Sequence, residues 1–153
     1  MRLLVVGSGG REHALVEALS QSPQTSEIFA APGNPGMASL AEVVDIPVDD
    51  LISLRNFART AGIDLTVVGP EAPLVGGIAE AFWEVGLKVF GPSRAAARIE
   101  GSKIFAKKIM RHAGIPTARS EVFDREWRDY LGRSPEDVQL VITQDRIYLE
   151  KVR

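Results

Sequence analysis

Residues 3–12 read LLVVGSGGRE, and this stretch decides the fold. The apolar run Leu3–Val6 stops at Gly7, and the glycine-rich turn leads into a segment with helical spacing, His13–Ser20. A short apolar run without polar alternation is typical of a strand that is covered on both faces. The stretch therefore predicts a buried β-strand, a tight turn and a helix, which together open an α/β fold.

The same alternation of apolar runs and helical segments continues to residue 92. Four further runs predict strands, and Gly or Pro follows each of them: Ile28–Ala31, Val43–Ile46, Leu65–Val68 and Lys88–Phe90. Two more segments between them have helical spacing, Leu51–Ala61 and Leu74–Val85. Alternating strands and helices predict a doubly wound parallel sheet with right-handed crossovers, here a Rossmann-like domain over residues 1–92.

The remaining residues predict two shorter sections. Residues 93–123 contain two helical segments, Ser93–Ala97 and Ser102–Ala113, and then a strand, Ala118–Phe123. Residues 124–153 form an α+β tail with a short polar helix at Arg125–Leu131. Two alternating runs follow in the tail and predict a hairpin, Val138–Thr143 and Ile147–Val152.

Composition excludes several classes of protein. The 153 residues carry a net charge of -2, so there is no basic footprint for nucleic acid. The chain contains no cysteine and two histidines, which excludes disulfides, thiol chemistry and Cys-ligated metals, and we assign no metal ligand. No segment approaches the roughly 18 apolar residues of a membrane span. We expect a cytoplasmic protein that binds no membrane.

Loops rich in glycine and proline follow four of the five predicted strands. In open parallel sheets, ligands bind outside the carboxyl ends of the strands. The loop Gly7–Glu12 is the best candidate for an anion site, because Gly9 and Gly10 allow close approach of a phosphate and the next helix offers free N–H groups. Arg11 adds a forked cation. The alternative is that the glycines serve only the tight turn.

The same loop does not match a dinucleotide site. The GxGxxG fingerprint fits at Gly7 and Gly9, but its third glycine is replaced by Glu12. The second predicted strand also ends in Ala31 and Pro32 without the acidic residue that holds ribose hydroxyls. Both departures argue against a nicotinamide or flavin dinucleotide.

Three further residues are candidates with a structural alternative. Glu71 follows the fourth strand and either holds ligand hydroxyls or an amine, or is a solvated loop residue. Asn34 either contacts a ligand or serves as a turn residue. Lys103, at the start of a helix, is by itself most simply a solvated lysine. We assign no catalytic residue.

Five blocks of sequence, taken together, resemble phosphoribosylamine–glycine ligase. They are VVGSGGREHAL from Val5, APGNPGM from Ala31, VVGPEAPLVGGI from Val67, VFGPSRAAARIEGSKIFAKKIM from Val89 and AGIPTA from Ala113. The resemblance covers residues 1–123 in order. That family comprises ATP-grasp ligases of purine biosynthesis, which join glycine to 5-phosphoribosylamine through a glycyl phosphate with ATP and Mg²⁺. It implies a Rossmann-like domain that precedes an ATP-grasp region.

The resemblance also implies roles for particular residues. Six positions correspond to the edge that faces phosphoribosylamine: Gly9, Gly10, Arg11, Glu12, Asn34 and Glu71. Lys103 corresponds to the lysine that reaches the nucleotide phosphates. We find no match to the family after Phe123, so the chain is expected to bind the phosphoribosylamine part and to lack most of the ATP-grasp machinery. It is either a truncated or split product, whose missing region a partner chain could supply, or a stand-alone relative with a replacement tail. The alternative is a non-catalytic assembly module that uses the tail hairpin.

Overall fold

A sheet of five parallel strands organises the N-terminal part of the chain, in a computed structural model that describes residues 1–118, 138–142 and 147–151. The order of its strands is β3-β2-β1-β4-β5, and every neighbouring pair is parallel. The strands are β1 (Arg2–Gly7), β2 (Glu27–Pro32), β3 (Glu42–Val43), β4 (Leu65–Val68) and β5 (Val89–Phe90). This order confirms the predicted doubly wound α/β fold. It also places the topological switch point between β1 and β4.

Six helices are described. They are α1 (Gly10–Ser20), α2 (Leu51–Thr60), α3 (Glu71–Gly76), α4 (Ile78–Trp83), α5 (Arg94–Gly101) and α6 (Lys103–His112). Two helix starts carry caps that the residue types favour. The Asp50 carboxylate accepts the Ser53 N–H at 3.0 Å, and the Ser93 hydroxyl accepts the Ala96 N–H at 3.3 Å. None of the described helices is long and apolar enough to span a bilayer.

Apolar clusters cover both faces of the sheet, which explains the unbroken apolar run in β1. Leu4 and Val6 belong to the larger cluster, with Leu54 of α2 and Phe82 of α4. Val5 belongs to a smaller cluster on Val16 of α1. Successive residues of a strand point to opposite faces, so Leu4 and Val6 serve one cluster and Val5 serves the other.

Two predicted elements differ from the structure because of the local conformation of the backbone. The helix predicted over Leu74–Val85 is two helices, α3 and α4, since Gly77 between them has a φ of 95°, which lies in the left-handed region. The strand predicted over Val43–Ile46 is shorter in the structure. The Ile46 N–H donates to the Val44 carbonyl at 2.8 Å, which is a tight turn directly after β3.

The first compact unit spans residues 1–102, so it includes α5, although residue 92 was the predicted end of the first domain. Arg94 explains this extension. Its N–H donates to Glu80 Oε1 at 2.7 Å, and its Nη2 donates to the Gly76 carbonyl at 2.5 Å. These bonds tie the start of α5 to α3 and α4.

The second unit spans residues 103–153. Its helix α6 ends before Gly114, whose φ of 65° is the left-handed conformation common in a glycine that follows a helix. Two antiparallel strands, β6 (Val138–Ile142) and β7 (Ile147–Lys151), confirm the pairing predicted for the tail. The strand predicted from Ala118 onward and the helix predicted at Arg125–Leu131 lie outside the described residues, apart from Ala118 itself.

Candidate functional site

The loops that follow β2 and β4 are each hydrogen-bonded to the last residues of β1 at the carboxyl edge of the sheet. The Gly33 N–H donates to the Gly7 carbonyl at 3.2 Å, and the Gly69 N–H donates to the Val6 carbonyl at 3.1 Å. Since β1 lies between β2 and β4, its glycine loop is the centre of this edge. The three loops thus form one connected surface at the switch point, where α/β sheets bind ligands.

Glu12 is the buried centre of that surface. Its side chain is 5% exposed, and its Oε2 accepts the Gly9 N–H at 2.7 Å. Glu12 is the third residue of α1, so this bond is half of a capping box, and Gly9 has no side chain to complete it. The other oxygen, Oε1, is buried and accepts no hydrogen bond from the described residues.

Three glycines make the space that Glu12 fills. A Cβ on Gly7 would lie 2.5 Å from Glu12 Cγ, and a Cβ on Gly9 would lie 2.8 Å from Glu12 Oε2. A Cβ on Gly69 would lie 2.5 Å from Glu12 Cδ. Real Cβ atoms do not approach other atoms this closely, so glycine is required at all three positions while Glu12 keeps this rotamer. Two strand ends, those of β1 and β4, are therefore shaped around one carboxylate.

Arg11 and Gly10 form the exposed part of the glycine loop. Arg11 is 67% exposed, and its guanidinium lies 3.8 Å from Glu12 Oε1 and 4.0 Å from Glu100 Oε1. Glu100 is exposed as well, so that contact holds the guanidinium only weakly. Glu12 is buried, but 3.8 Å is longer than a hydrogen bond. A Cβ on Gly10 would meet nothing within 4 Å, so the surrounding structure does not require glycine there. The N–H groups of Gly10 and Arg11 belong to the first turn of α1, which lacks intrahelical acceptors.

Asn34 joins the first two loops. Its Nδ2 donates to the Ser8 carbonyl at 2.9 Å, and its Oδ1 accepts the Met37 N–H at 3.2 Å. A carbonyl on one side and an N–H on the other fix the orientation of the amide. The side chain therefore holds two loops together, whatever else it contacts.

The remaining candidates lie at helix starts. Glu71 is the first residue of α3 and is exposed. Lys103 is the first residue of α6 in the second unit and is also exposed. Lys107, one turn later, was not singled out from the sequence. It donates to Thr117 Oγ1 at 2.6 Å and to the Ala118 carbonyl at 2.8 Å.

Sequence reasoning placed Glu12 at the edge but missed its inward direction and the part played by Gly7 and Gly69. One local signal was available. A glutamate three residues after the residue that precedes a helix is the capping-box position, which turns the carboxylate back toward the backbone. The contact with Gly69 had no such signal, because residues 12 and 69 meet only after β1 and β4 pair.

Residues 1–118, 138–142 and 147–151 contain no cluster of three or more His, Asp or Glu side chains that could hold a metal ion. We derive no step through Mg²⁺.

A protein-family model matches residues 1–100, and it describes the phosphoribosylglycinamide synthetase N domain. Two curated relatives extend the match. The phosphoribosylamine–glycine ligase of Caldanaerobacter subterraneus is 56% identical over 125 residues, covering 82% of this chain and 30% of the relative. The ligase of Mycobacterium leprae is 46% identical over 152 residues, covering 96% of this chain and 36% of the relative. The chain thus spans about a third of the length of these relatives.

The mycobacterial alignment bears on the tail. Because it covers 96% of the chain, it extends beyond residue 123, where the motif resemblance ended. The Mycobacterium leprae ligase is therefore similar to part of the tail in which we recognised no family motif. The assembly role suggested for the hairpin stays a prediction.

Solved structures show the same fold. The phosphoribosylamine–glycine ligase of Thermotoga maritima matches with a TM-score of 0.59 and 26% identity, covering 99% of this chain and 36% of that protein. An N5-carboxyaminoimidazole synthase from Aspergillus clavatus, in complex with ADP and 5-aminoimidazole ribonucleotide, matches with a TM-score of 0.57 and 24% identity. It covers 77% of this chain and 31% of that protein.

Proposed function

Because the chain belongs to the phosphoribosylglycinamide synthetase N-domain family, we propose that it is the substrate-recognising part of a phosphoribosylamine–glycine ligase. In this proposal the edge formed by the loops after β1, β2 and β4 binds the ribose 5-phosphate portion of phosphoribosylamine. The longer protein then joins glycine to the amine with ATP. The observation that carries the proposal is the exposed pair Gly10 and Arg11 at the switch point, where a bare backbone and a weakly held cation lie side by side.

Gly10 and Arg11 are suited to a phosphate. A glycine that the fold does not need leaves room for an anion to approach the first N–H groups of α1, whose dipole favours negative charge. The Arg11 guanidinium can pair with two phosphate oxygens at once. Its two carboxylate neighbours are 3.8 Å and 4.0 Å away, so a phosphate competes with weak contacts only.

Of the other edge residues, one is proposed to contact the substrate and three to hold the loops in place. Glu71 is exposed at the end of β4, and its carboxylate suits a ribose hydroxyl or the substrate amine. Gly9 and Glu12 are hydrogen-bonded to each other, and Asn34 is hydrogen-bonded to loop backbone. These bonds support a role for the three residues in shaping the edge.

ATP and Mg²⁺ belong to the proposal for the longer ligase. Lys103, exposed at the start of α6, is the residue of this chain proposed to contact the nucleotide phosphates. When bound, the nucleotide supplies the phosphoryl group that activates glycine. The ADP complex of the Aspergillus enzyme supports nucleotide use in a protein of this fold.

Calorimetric titration of the 153-residue chain tests the proposal directly. Glycinamide ribonucleotide and ribose 5-phosphate are the ligands, and ATP with Mg²⁺ is titrated in parallel. We expect both ribose phosphates to bind without ATP. The Arg11→Gln variant should bind them about tenfold more weakly, the loss of one charged hydrogen bond.

Arg59→Gln is the matched control, since Arg59 is an exposed arginine in the last turn of α2. It should bind like the wild type. Failure of the wild-type chain to bind either ribose phosphate would overturn the proposal. An equal loss of affinity in the Arg11 and Arg59 variants would mean that Arg11 acts only through the net charge of the chain.

A further inference from the structure

We propose that Glu12 is a positioning residue that acts on the substrate through the glycine loop and does not touch it. Its carboxylate fills the crevice at the switch point and occupies the Gly9 N–H. The substrate anion is thereby directed to the N–H groups of Gly10 and Arg11 and to the Arg11 guanidinium. This inference rests on the proposed function and adds how the site is held.

Because the Glu12 side chain is buried, its carboxylate cannot touch a ligand at the sheet edge in this arrangement of the loops. The Glu12 side chain is 5% exposed, and the oxygen that accepts no hydrogen bond is buried as well. A ligand at the edge therefore meets the backbone that surrounds Glu12, not the carboxylate. What the ligand encounters is the loop geometry that Glu12 imposes.

The glycines show that this position is built into the fold. Gly7 and Gly9 lie on the loop of β1, whereas Gly69 lies at the end of β4, yet all three leave room for the same side chain. In dinucleotide-binding folds, the glycine at the third fingerprint position lets the helix pack closely on the strand. Here Glu12 occupies that position, and the glycine of the neighbouring strand end makes room instead.

Glu12 Oε1 accepts no hydrogen bond from the described residues, and the Arg11 guanidinium lies 3.8 Å from it. A buried oxygen without a donor costs free energy, and its negative charge opposes binding of an anion nearby. Only Oε2 makes a hydrogen bond to the loop. The positioning function therefore requires one acceptor oxygen and the shape of the side chain, both of which glutamine retains.

Glu12→Gln and Glu12→Ala separate positioning from contact. The first readout is the hydrogen-exchange rate of the Gly9 amide, measured by NMR on ¹⁵N-labelled chain. The second is the affinity for ribose 5-phosphate. We expect Glu12→Gln to keep the Gly9 protection and to bind equally or up to about tenfold more tightly, because a nearby negative charge is removed. Glu12→Ala should exchange Gly9 about tenfold faster and bind about tenfold more weakly.

Two results would overturn the inference. One is binding by Glu12→Gln as weak as that of Glu12→Ala, which would make the carboxylate itself a ligand contact. The other is unchanged Gly9 protection in Glu12→Ala. Should Glu12→Ala not fold, Glu12→Asp replaces it, since its shorter carboxylate cannot reach Gly9 in the same rotamer, and the same losses are expected. Ile63→Ala, a core change before β4, controls for stability loss alone and should leave the affinity unchanged.

The two proposals fail separately. If the wild-type chain does not bind ribose 5-phosphate, the proposed function falls, while the Gly9 exchange rates still decide whether Glu12 holds the loop. If the wild type binds and Glu12→Gln does not, the positioning inference falls and the proposed function stands.

Discussion

The Glu12 carboxylate occupies the space in which any residue other than glycine at position 69 would carry its Cβ. That Cβ would lie 2.5 Å from both Cγ and Cδ of Glu12. The two residues belong to different strand ends, which neighbour each other because β1 pairs with β4. The relationship couples the first glycine loop to the loop that carries Glu71.

Gly69→Ala should destabilise the chain by about 2–4 kcal/mol, because the new methyl group overlaps a buried side chain. Gly69 has no positive φ, so the cost is steric. Urea unfolding of Gly69→Ala, Glu12→Ala and the double variant forms a cycle. The double variant should be less destabilised than the sum of the single changes by about 1–2 kcal/mol. Additive effects would contradict the overlap.

Gly10→Ala should preserve the fold and weaken the binding of ribose 5-phosphate about tenfold, since the added Cβ enters the space proposed for the phosphate. The Cβ meets nothing within 4 Å, and alanine favours a helix over glycine, so the melting temperature should hold or rise. Thermal unfolding and calorimetry on one sample decide both parts. Unchanged affinity would show that the ligand does not approach Gly10.

Asn34→Asp should loosen the first two loops and cost about 1–2 kcal/mol of unfolding free energy, because it removes the donor to the Ser8 carbonyl and turns a carboxylate toward it. The affinity for ribose 5-phosphate should fall as well. Asn56→Asp on α2 is an exposed control that adds the same charge. If the two variants are equally stable, the Asn34 bond to Ser8 contributes nothing.

Asp50 should make the stability depend on pH in the acid range. The hydrogen bond from the Ser53 backbone N–H lowers the pKa of Asp50 from its usual 3.8. Its contribution is therefore complete above 3.8 and is lost as the pH falls through the lower, folded-state pKa. Asn caps helices equally well and does not titrate. Urea unfolding between about pH 5 and pH 2 should show wild type losing stability relative to Asp50→Asn. Parallel curves would refute the prediction.

Gly77→Ala should destabilise the chain by about 2 kcal/mol more than Gly86→Ala. Both glycines have positive φ, 95° and 77°, so alanine carries backbone strain at each. Only at Gly77 would the Cβ also meet a neighbour, with Arg94 Nε at 2.6 Å, whereas at Gly86 it meets nothing within 4 Å. Thermal unfolding of the two variants measures the difference. Equal melting temperatures would mean that Arg94 moves aside without cost.

The alternation of apolar runs and helical segments was enough to predict the parallel sheet. The spacing of apolar residues, and the glycines and prolines that end each run, are local properties of a sequence. The Ser93 cap and the glycine after α6 follow from local backbone chemistry in the same way. The motif blocks also led to the family that the comparison with residues 1–100 established.

Tertiary structure alone decided where Glu12 points and which glycines surround it. The pairing of β1 with β4 brings residue 69 against residue 12, and no local pattern encodes that approach. It likewise decided that Arg94 of a later helix donates to the Gly76 carbonyl, beside the break at Gly77. Helical spacing reports which face of a segment is apolar, whereas a close contact between distant residues depends on how the elements pack.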